Sequence, residues 1–196
     1  MMSAPMPSPL GHTLAGLTVG WLSAPAPLAG TRRLADAFKP FVLWCAFVAA
    51  IPDADLLVPH FHRTASHSLT ATACLLIIAI AVTGKVTTRS AWRFALALAA
   101  AHATHLFLDW LGTDRFPPPG IQVFWPFRDQ FYISGLDIFP AVERRLLRPE
   151  ALAINARAAV WEVLIMSPVA FLAWQVRVRR RTTGLGAPTA GEARRR

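Results

Sequence analysis

Apolar residues gather in five runs, Thr13–Leu28, Phe41–Ile51, Leu69–Gly84, Trp92–Leu111 and Ala158–Val176, separated by polar or proline-bounded connections. Each run reads as a helix of a membrane bundle. A full span needs about 20 apolar residues, so the second and third runs must gain length from flanking residues or from tilt. Four spans plus a buried half-helix therefore stands beside five spans. Gly16 and Gly20 give the first run a small-residue face suited to close helix packing. Pro40 and Pro52 bound the second. The expected fold is all-α: a polytopic transmembrane helical bundle of four to five spans, with a short extended or hairpin insertion after the fourth helix. Residues 1–177 form one integral membrane domain, and 178–196 a disordered basic tail.

Polar residues sharpen this map. His12 begins the first helix; Asp53, Asp55, His62 and His67 lie between the second and third; His102, His105 and Asp109 occupy the later half of the fourth. The start of an odd helix and the end of an even one face the same side of a bilayer, so residues scattered along the chain converge on one face. Arg32, Arg33, Lys39, Lys85, Arg89, Arg93, Arg177, Arg179, Arg180 and Arg181 fall at the other. The positive-inside rule makes that other face cytoplasmic and the His/Asp face extracytoplasmic. Six arginines between Gly112 and Arg157, on the His/Asp face, weigh against that orientation.

Composition agrees with a membrane location. Of 196 residues 54% are hydrophobic and only 16% charged, against roughly 25% charged in soluble domains. That excludes disorder over most of the length and makes a soluble globule a poor description. A formal charge of +9, almost all from arginine, points to a membrane protein before a nucleic-acid binder. Direct nucleic-acid binding is not expected. Cys45 and Cys74 sit in apolar runs without CxxC spacing, so neither a disulfide framework nor a thiolate zinc site is supported. No basic residue precedes Arg32, so the N-terminus reads as a retained helix rather than a signal sequence.

His105 and Asp109 are four residues apart on a helical pattern, so imidazole and carboxylate can grip one ion; His102 is a further ligand or an outer-shell partner. Pro52-Asp53-Ala54-Asp55 closes the second helix with two carboxylates, which in an extended turn bind one cation or bridge two. His62-Arg63-x-x-Ser66-His67-Ser68 precedes the third, with Ser68 as its N-cap. In it Arg63 is suited to hold a phosphate or carboxylate. His60 reads as a plain loop residue and Asp137 as a turn carboxylate. Glu162, one turn into the fifth helix, is a candidate base or extra ligand. After Pro117-Pro118-Pro119-Gly120, residues 121–127 form a short strand or extended arm, and Arg144–Arg157 a surface helix lying against anionic lipid.

Gly11-His12, Pro52-Asp53-Ala54-Asp55, His62-Arg63-x-x-Ser66-His67-Ser68, His105-x-x-x-Asp109 and Gly120-Ile121-x-x-Phe124-Trp125-Pro126-Phe127 together resemble the YdjM-like membrane-bound metal-dependent hydrolases. That family is also described as LexA-binding, inner-membrane-associated hydrolases. The resemblance implies a bacterial inner-membrane protein with metal-dependent hydrolase activity, and it points to His12, Asp53, Asp55, His62, His67, His105 and Asp109 as metal ligands. Thr64 stands where glycine is usual, Ser66 where threonine is, and Leu56 where some members carry histidine. More distantly, the order His, Asp, His, HxxxD is similar to the zinc-dependent phospholipase C and nuclease group, which implies phosphoester hydrolysis.

The leading expectation is a hydrolase acting on a phosphoester or lipid-linked substrate at the membrane surface. It would use one or two divalent ions, zinc first and manganese, iron or magnesium as alternatives. Asp53, Asp55, His67, His105 and Asp109 are the first-choice ligands. His12 and His62 complete the shell or bind a second ion, Asp55 doubles as a catalytic carboxylate, and Arg63 holds the substrate anion. A metal or proton transporter and a non-enzymatic membrane adaptor are the competing readings.

Overall fold

The computed structural model describes residues 7–24, 39–57, 62–83, 89–115, 117–143 and 147–184. Among them run five α-helices: α1 (Pro9–Ser23), α2 (Pro40–Ala50), α3 (Leu69–Thr83), α4 (Arg89–Leu111) and α5 (Ala151–Gly184). Short 3-10 turns cover Ile51–Leu57 and Ala65–His67. Each helix starts where local chemistry supplies a start. Ser8 accepts the Leu10 N–H at 3.2 Å and Pro9 takes the first helical position. The first helix thus begins four residues before Thr13, with His12 in its opening turn. Pro40 opens α2, and Pro52, which has no N–H to donate, turns its end into the 3-10 segment. Ser68 accepts the Ala71 N–H at 3.1 Å and caps α3, as the sequence implies.

Helix α1 packs against α2, α4 and α5, while α4 also packs against α2 and α3. The close approach of α1 to α2 depends on its glycines. A Cβ added at Gly16 would lie 2.5 Å from the Cys45 carbonyl oxygen, and one at Gly20 would lie 2.9 Å from Val42 Cα. Gly16→Val is therefore expected to cost about 1–3 kcal/mol by overpacking; thermal unfolding in detergent measures it, and an unchanged midpoint would contradict this packing. The bundle interior is small and apolar (Cys45, Val48, Ala49, Ala79, Ala95, Leu98, Ala101). Its outer surface is apolar too, with Trp44, Phe47, Ile77, Val82, Leu164 and Phe171 exposed. A surface of that kind is suited to lipid rather than water.

Among the described residues two helices are long and apolar enough to cross a membrane, over Ser90–Leu111 and Ala151–Arg179, fewer than the four to five expected. Helix α2 has 11 residues, or about 16 Å at 1.5 Å per residue against a hydrocarbon core of about 30 Å. On its C-terminal side the helix gains no α-helical length, because Pro52 diverts the chain into the 3-10 turn. The final helix is longer than the run that announced it. The last residues of the expected surface helix over 144–157, from Ala151 on, are instead the opening turns of α5, 147–150 form a turn, and 144–146 lie outside the described residues. Asn155 ties this start down by pairing with both backbone groups of Glu143 at 2.7 and 2.8 Å. The same helix runs on to Gly184, past the boundary expected at residue 177.

Segment 117–143 folds back over the end of the bundle that carries the start of α3 and the end of α4. Val123 accepts the Leu69 N–H at 2.8 Å, Arg63 accepts the Gln122 N–H at 2.9 Å, and Trp110 accepts the Ser134 N–H at 2.8 Å. The expected strand or hairpin is replaced by single bridges, Ile121 to Tyr132 and Gly112 to Phe139; no strand forms among the described residues. Pro126 and the turn over 123–127 interrupt the ladder. Gly120 is required at its corner: its φ is +98°, and a Cβ there would collide with the Tyr132 carbonyl.

Candidate metal centre

Four separate elements deliver side chains to one point at this end of the bundle. His12 comes from the first turn of α1, Asp53 from the 3-10 turn after α2, and His67 from the turn before α3. His105 and Asp109 come from the last turns of α4. The Asp109 carboxylate is the hub. Its Oδ1 is 3.3 Å from His12 Nε2, and its Oδ2 is 3.3 Å from His67 Nε2 and 3.0 Å from His105 Nε2. Asp53 Oδ2 is 3.9 Å from His12 Nε2, and the His12 and His105 rings stack at 3.8 Å. All five side chains are buried. Yet His12 Nε2, His67 Nε2, His105 Nε2 and both oxygens of Asp53 and of Asp109 make no hydrogen bond. Buried polar atoms without partners are costly, at roughly 1–3 kcal/mol each. Their convergence on one point is an arrangement that a shared cation would satisfy.

The far side of two of the rings is fixed by the chain itself. His105 Nδ1 is 2.8 Å from the Ala49 carbonyl oxygen, so it carries the proton and Nε2 presents a lone pair to the cluster. His67 Nδ1 is 3.0 Å from Asp55 Oδ2, which directs its Nε2 inward in the same way. Asp55 also accepts from His62 Nδ1 at 2.6 Å and from the Ser66 hydroxyl. Burial pushes the Asp55 carboxyl up, but hydrogen bonds from His62, His67 and Ser66, with the charge of His67, hold it well below the usual carboxylate range. Burial lowers the His67 imidazole despite its carboxylate neighbours, which keeps it in the neutral form that ligates.

A divalent cation fits these atoms. Nitrogen and oxygen ligands at about 2.0–2.2 Å, seen at angles of roughly 90–110°, stand about 2.8–3.6 Å apart, and the contacts of Asp109 with all three imidazoles fall in that interval. Two carboxylates among neutral imidazoles carry a charge that one divalent ion cancels, which matters in a site shielded from water. Imidazole and carboxylate without thiolate suit zinc, manganese or iron.

The structure brings together His12, Asp53, His67, His105 and Asp109 from the expected ligands and sets the other candidates elsewhere. Asp55 and His62 stand outside the inner group: they contact each other, and Asp55 contacts His67 Nδ1 on the ring's far side, a neighbouring Asp55–His62–His67 set whose ligand atoms are close enough to hold an ion of their own. Arg63 does not face the cluster. Its Nη1 lies 2.5 Å from Asp114 Oδ2 and donates to the Pro118 carbonyl at 3.0 Å, pinning the His62–His67 loop to the overlying segment. This buried pair also absorbs a left-handed backbone at Arg63, φ 64°. Arg63→Met is expected to destabilise the protein by about 3–5 kcal/mol by stranding Asp114, with Arg63→Met/Asp114→Asn milder; chemical denaturation checks the order. Glu162, proposed from sequence as a base or ligand, binds the start of α1, accepting from Ser8 N at 2.6 Å and Gly11 N at 2.9 Å. His102 pairs with Thr72 Oγ1 at 2.8 Å, one turn away from the cluster. Asp137 is half-exposed beside Arg115. His60 and the side chain of Leu56 lie outside the described residues. No sequence pattern singles out the Ala49 carbonyl, because every helix end offers such acceptors. Asp114 was visible only as a loop carboxylate.

The model of the family described as YdjM inner membrane protein matches residues 6–181. No curated protein and no solved structure matches the chain.

Proposed function

The chain belongs to the YdjM inner membrane protein family, and on that premise we propose that it is a multi-pass, membrane-embedded metal-dependent hydrolase. The carrying observation is the set of buried, unpartnered donor atoms on His12, Asp53, His67, His105 and Asp109. When bound there, a divalent cation, zinc first, lowers the pKa of water toward ~7 and polarises a phosphoryl or acyl oxygen. The chain's own residues do the rest. His12, Asp53, His67, His105 and Asp109 are closed off from solvent, whereas Asp55 and His62, each with a side chain 10% exposed, form the slightly open rim. Substrate and water therefore approach across that rim. Asp55 accepts from His67 Nδ1 on its inner side and from His62 Nδ1 at the outer edge, tying the buried ring to the rim. Segment 117–143 shields the flank. A lipid or lipid-linked phosphoester suits a site at this depth, and basic residues at the opposite end favour an extracytoplasmic face for the cluster.

A transporter needs polar groups continuing across the bundle. Beyond His102 and Thr72 the buried residues described toward the opposite end are apolar except for Thr18, whose hydroxyl donates to the Leu14 carbonyl, and Arg177 at the far end of α5. No continuous polar path is seen among them, which favours hydrolysis. Purified protein given a panel of lipid and nucleotide phosphoesters should release product with zinc or manganese and stop when chelator is added. Turnover that survives exhaustive chelation would sink the reading, as would zinc flux through proteoliposomes without hydrolysis.

A further inference from the structure

Glu162 is the only ionisable side chain in the stretch of α5 from Ala158 to Val176, and it is fully buried. Its carboxylate does not face the donor cluster. Oε1 accepts the Ser8 N–H at 2.6 Å, and Oε2 accepts the Ser8 hydroxyl and the Gly11 N–H, the latter at 2.9 Å. These donors stand at the opening of α1, where the Gly11 N–H is shared with the Ser8 carbonyl at 3.1 Å and the helix dipole also favours negative charge. The fit is close, since a Cβ on Gly11 would stand 2.9 Å from Glu162 Oε2. His12 is the next residue.

The rings of the cluster are not held alike. His67 and His105 each have their outer nitrogen fixed, by Asp55 and by the Ala49 carbonyl. His12 has neither nitrogen hydrogen-bonded. It is located by stacking on His105 at 3.8 Å and by its backbone. A ligating histidine is ordinarily oriented through its second nitrogen, and losing such a partner costs about 10–100-fold in metal affinity. For His12 that duty must fall on whatever fixes the start of α1.

We propose that Glu162 is the positioning residue for His12: by clamping Ser8 and Gly11 it sets the register of α1 and so the approach of His12 to the cation. This rests on the metal-binding reading above. Full-length protein in detergent, stripped of metal, is titrated with Zn2+ against a competing chelator. Glu162→Ala should weaken binding about 10–100-fold in the wild-type background. In the His12→Ala background the same change should shift affinity less than about twofold, because there is no longer a ring to position. Gly11→Ala, which presses on the carboxylate from the other side, should reproduce the Glu162→Ala loss while leaving the second titration equally flat. Melting curves confirm that each variant is folded. Equal losses in both backgrounds would overturn the assignment and reduce Glu162 to a packing role. Absence of tight Zn2+ binding by the wild type would instead overturn the metal reading itself.

Discussion

Asp109→Asn is expected to weaken divalent-cation binding roughly a hundred- to several-thousandfold, and hydrolysis with it. The estimate follows from the hub position of this carboxylate: one oxygen faces His12 and the other faces both His67 and His105. Asparagine keeps the shape but removes a charge and replaces an acceptor with a donor aimed at imidazole lone pairs. Deleting one partner of a buried charge pair costs about 3–5 kcal/mol, and each 1.4 kcal/mol is tenfold in affinity. His105→Ala, on the same face one turn earlier, should fall in the same range. His102→Ala should lose only a few-fold, since that ring bonds Thr72. Chelator competition reads all three variants, and an Asp109→Asn affinity within tenfold of wild type would refute the hub.

Acidification gives the second large effect. Three imidazoles must be unprotonated to ligate, so protons compete with the cation and apparent affinity should fall as the solution is acidified. Stability of the metal-free protein moves the same way. The His67 imidazole is lowered by burial, so between its folded value and about 6.5 the unfolded chain binds the extra proton, and stability is lost as pH falls. Asp55 is depressed as well; its contribution is complete above about pH 4 and disappears only in stronger acid. Zinc affinity and the His67 share of stability should therefore both rise with pH, and zinc affinity that does not fall anywhere between pH 8 and pH 4 would exclude imidazole ligation.

The convergence of His12, Asp53, His67, His105 and Asp109 was legible because helix parity alone sends the start of one helix and the end of another to the same side. The i, i+4 spacing of His105 and Asp109 set their common face, and the small residues of α1 announced its contact with α2. The roles of Asp53 and Asp55 were not legible. In an extended turn residues i and i+2 share a face, whereas in the 3-10 turn observed here, with about three residues per turn, they point apart. Asp53 therefore faces the cluster and Asp55 backs His67. Arg63 was misread for a different reason: its partner Asp114 is 51 residues away, and no local pattern announces such a pair. Glu162 was placed on the correct side, but its target is the backbone of α1 rather than the cluster. Three apolar runs are too short in the structure to satisfy the length of a full span, because capping and proline residues cut their helices.

Elemental analysis of the detergent-purified chain, after reconstitution with zinc, manganese or iron and removal of loose ions, addresses the central assignment directly. The expected result is about one divalent ion per chain that survives dialysis and is lost from Asp109→Asn. Less than about a tenth of an ion per chain for every metal offered, from protein that remains folded, would contradict it.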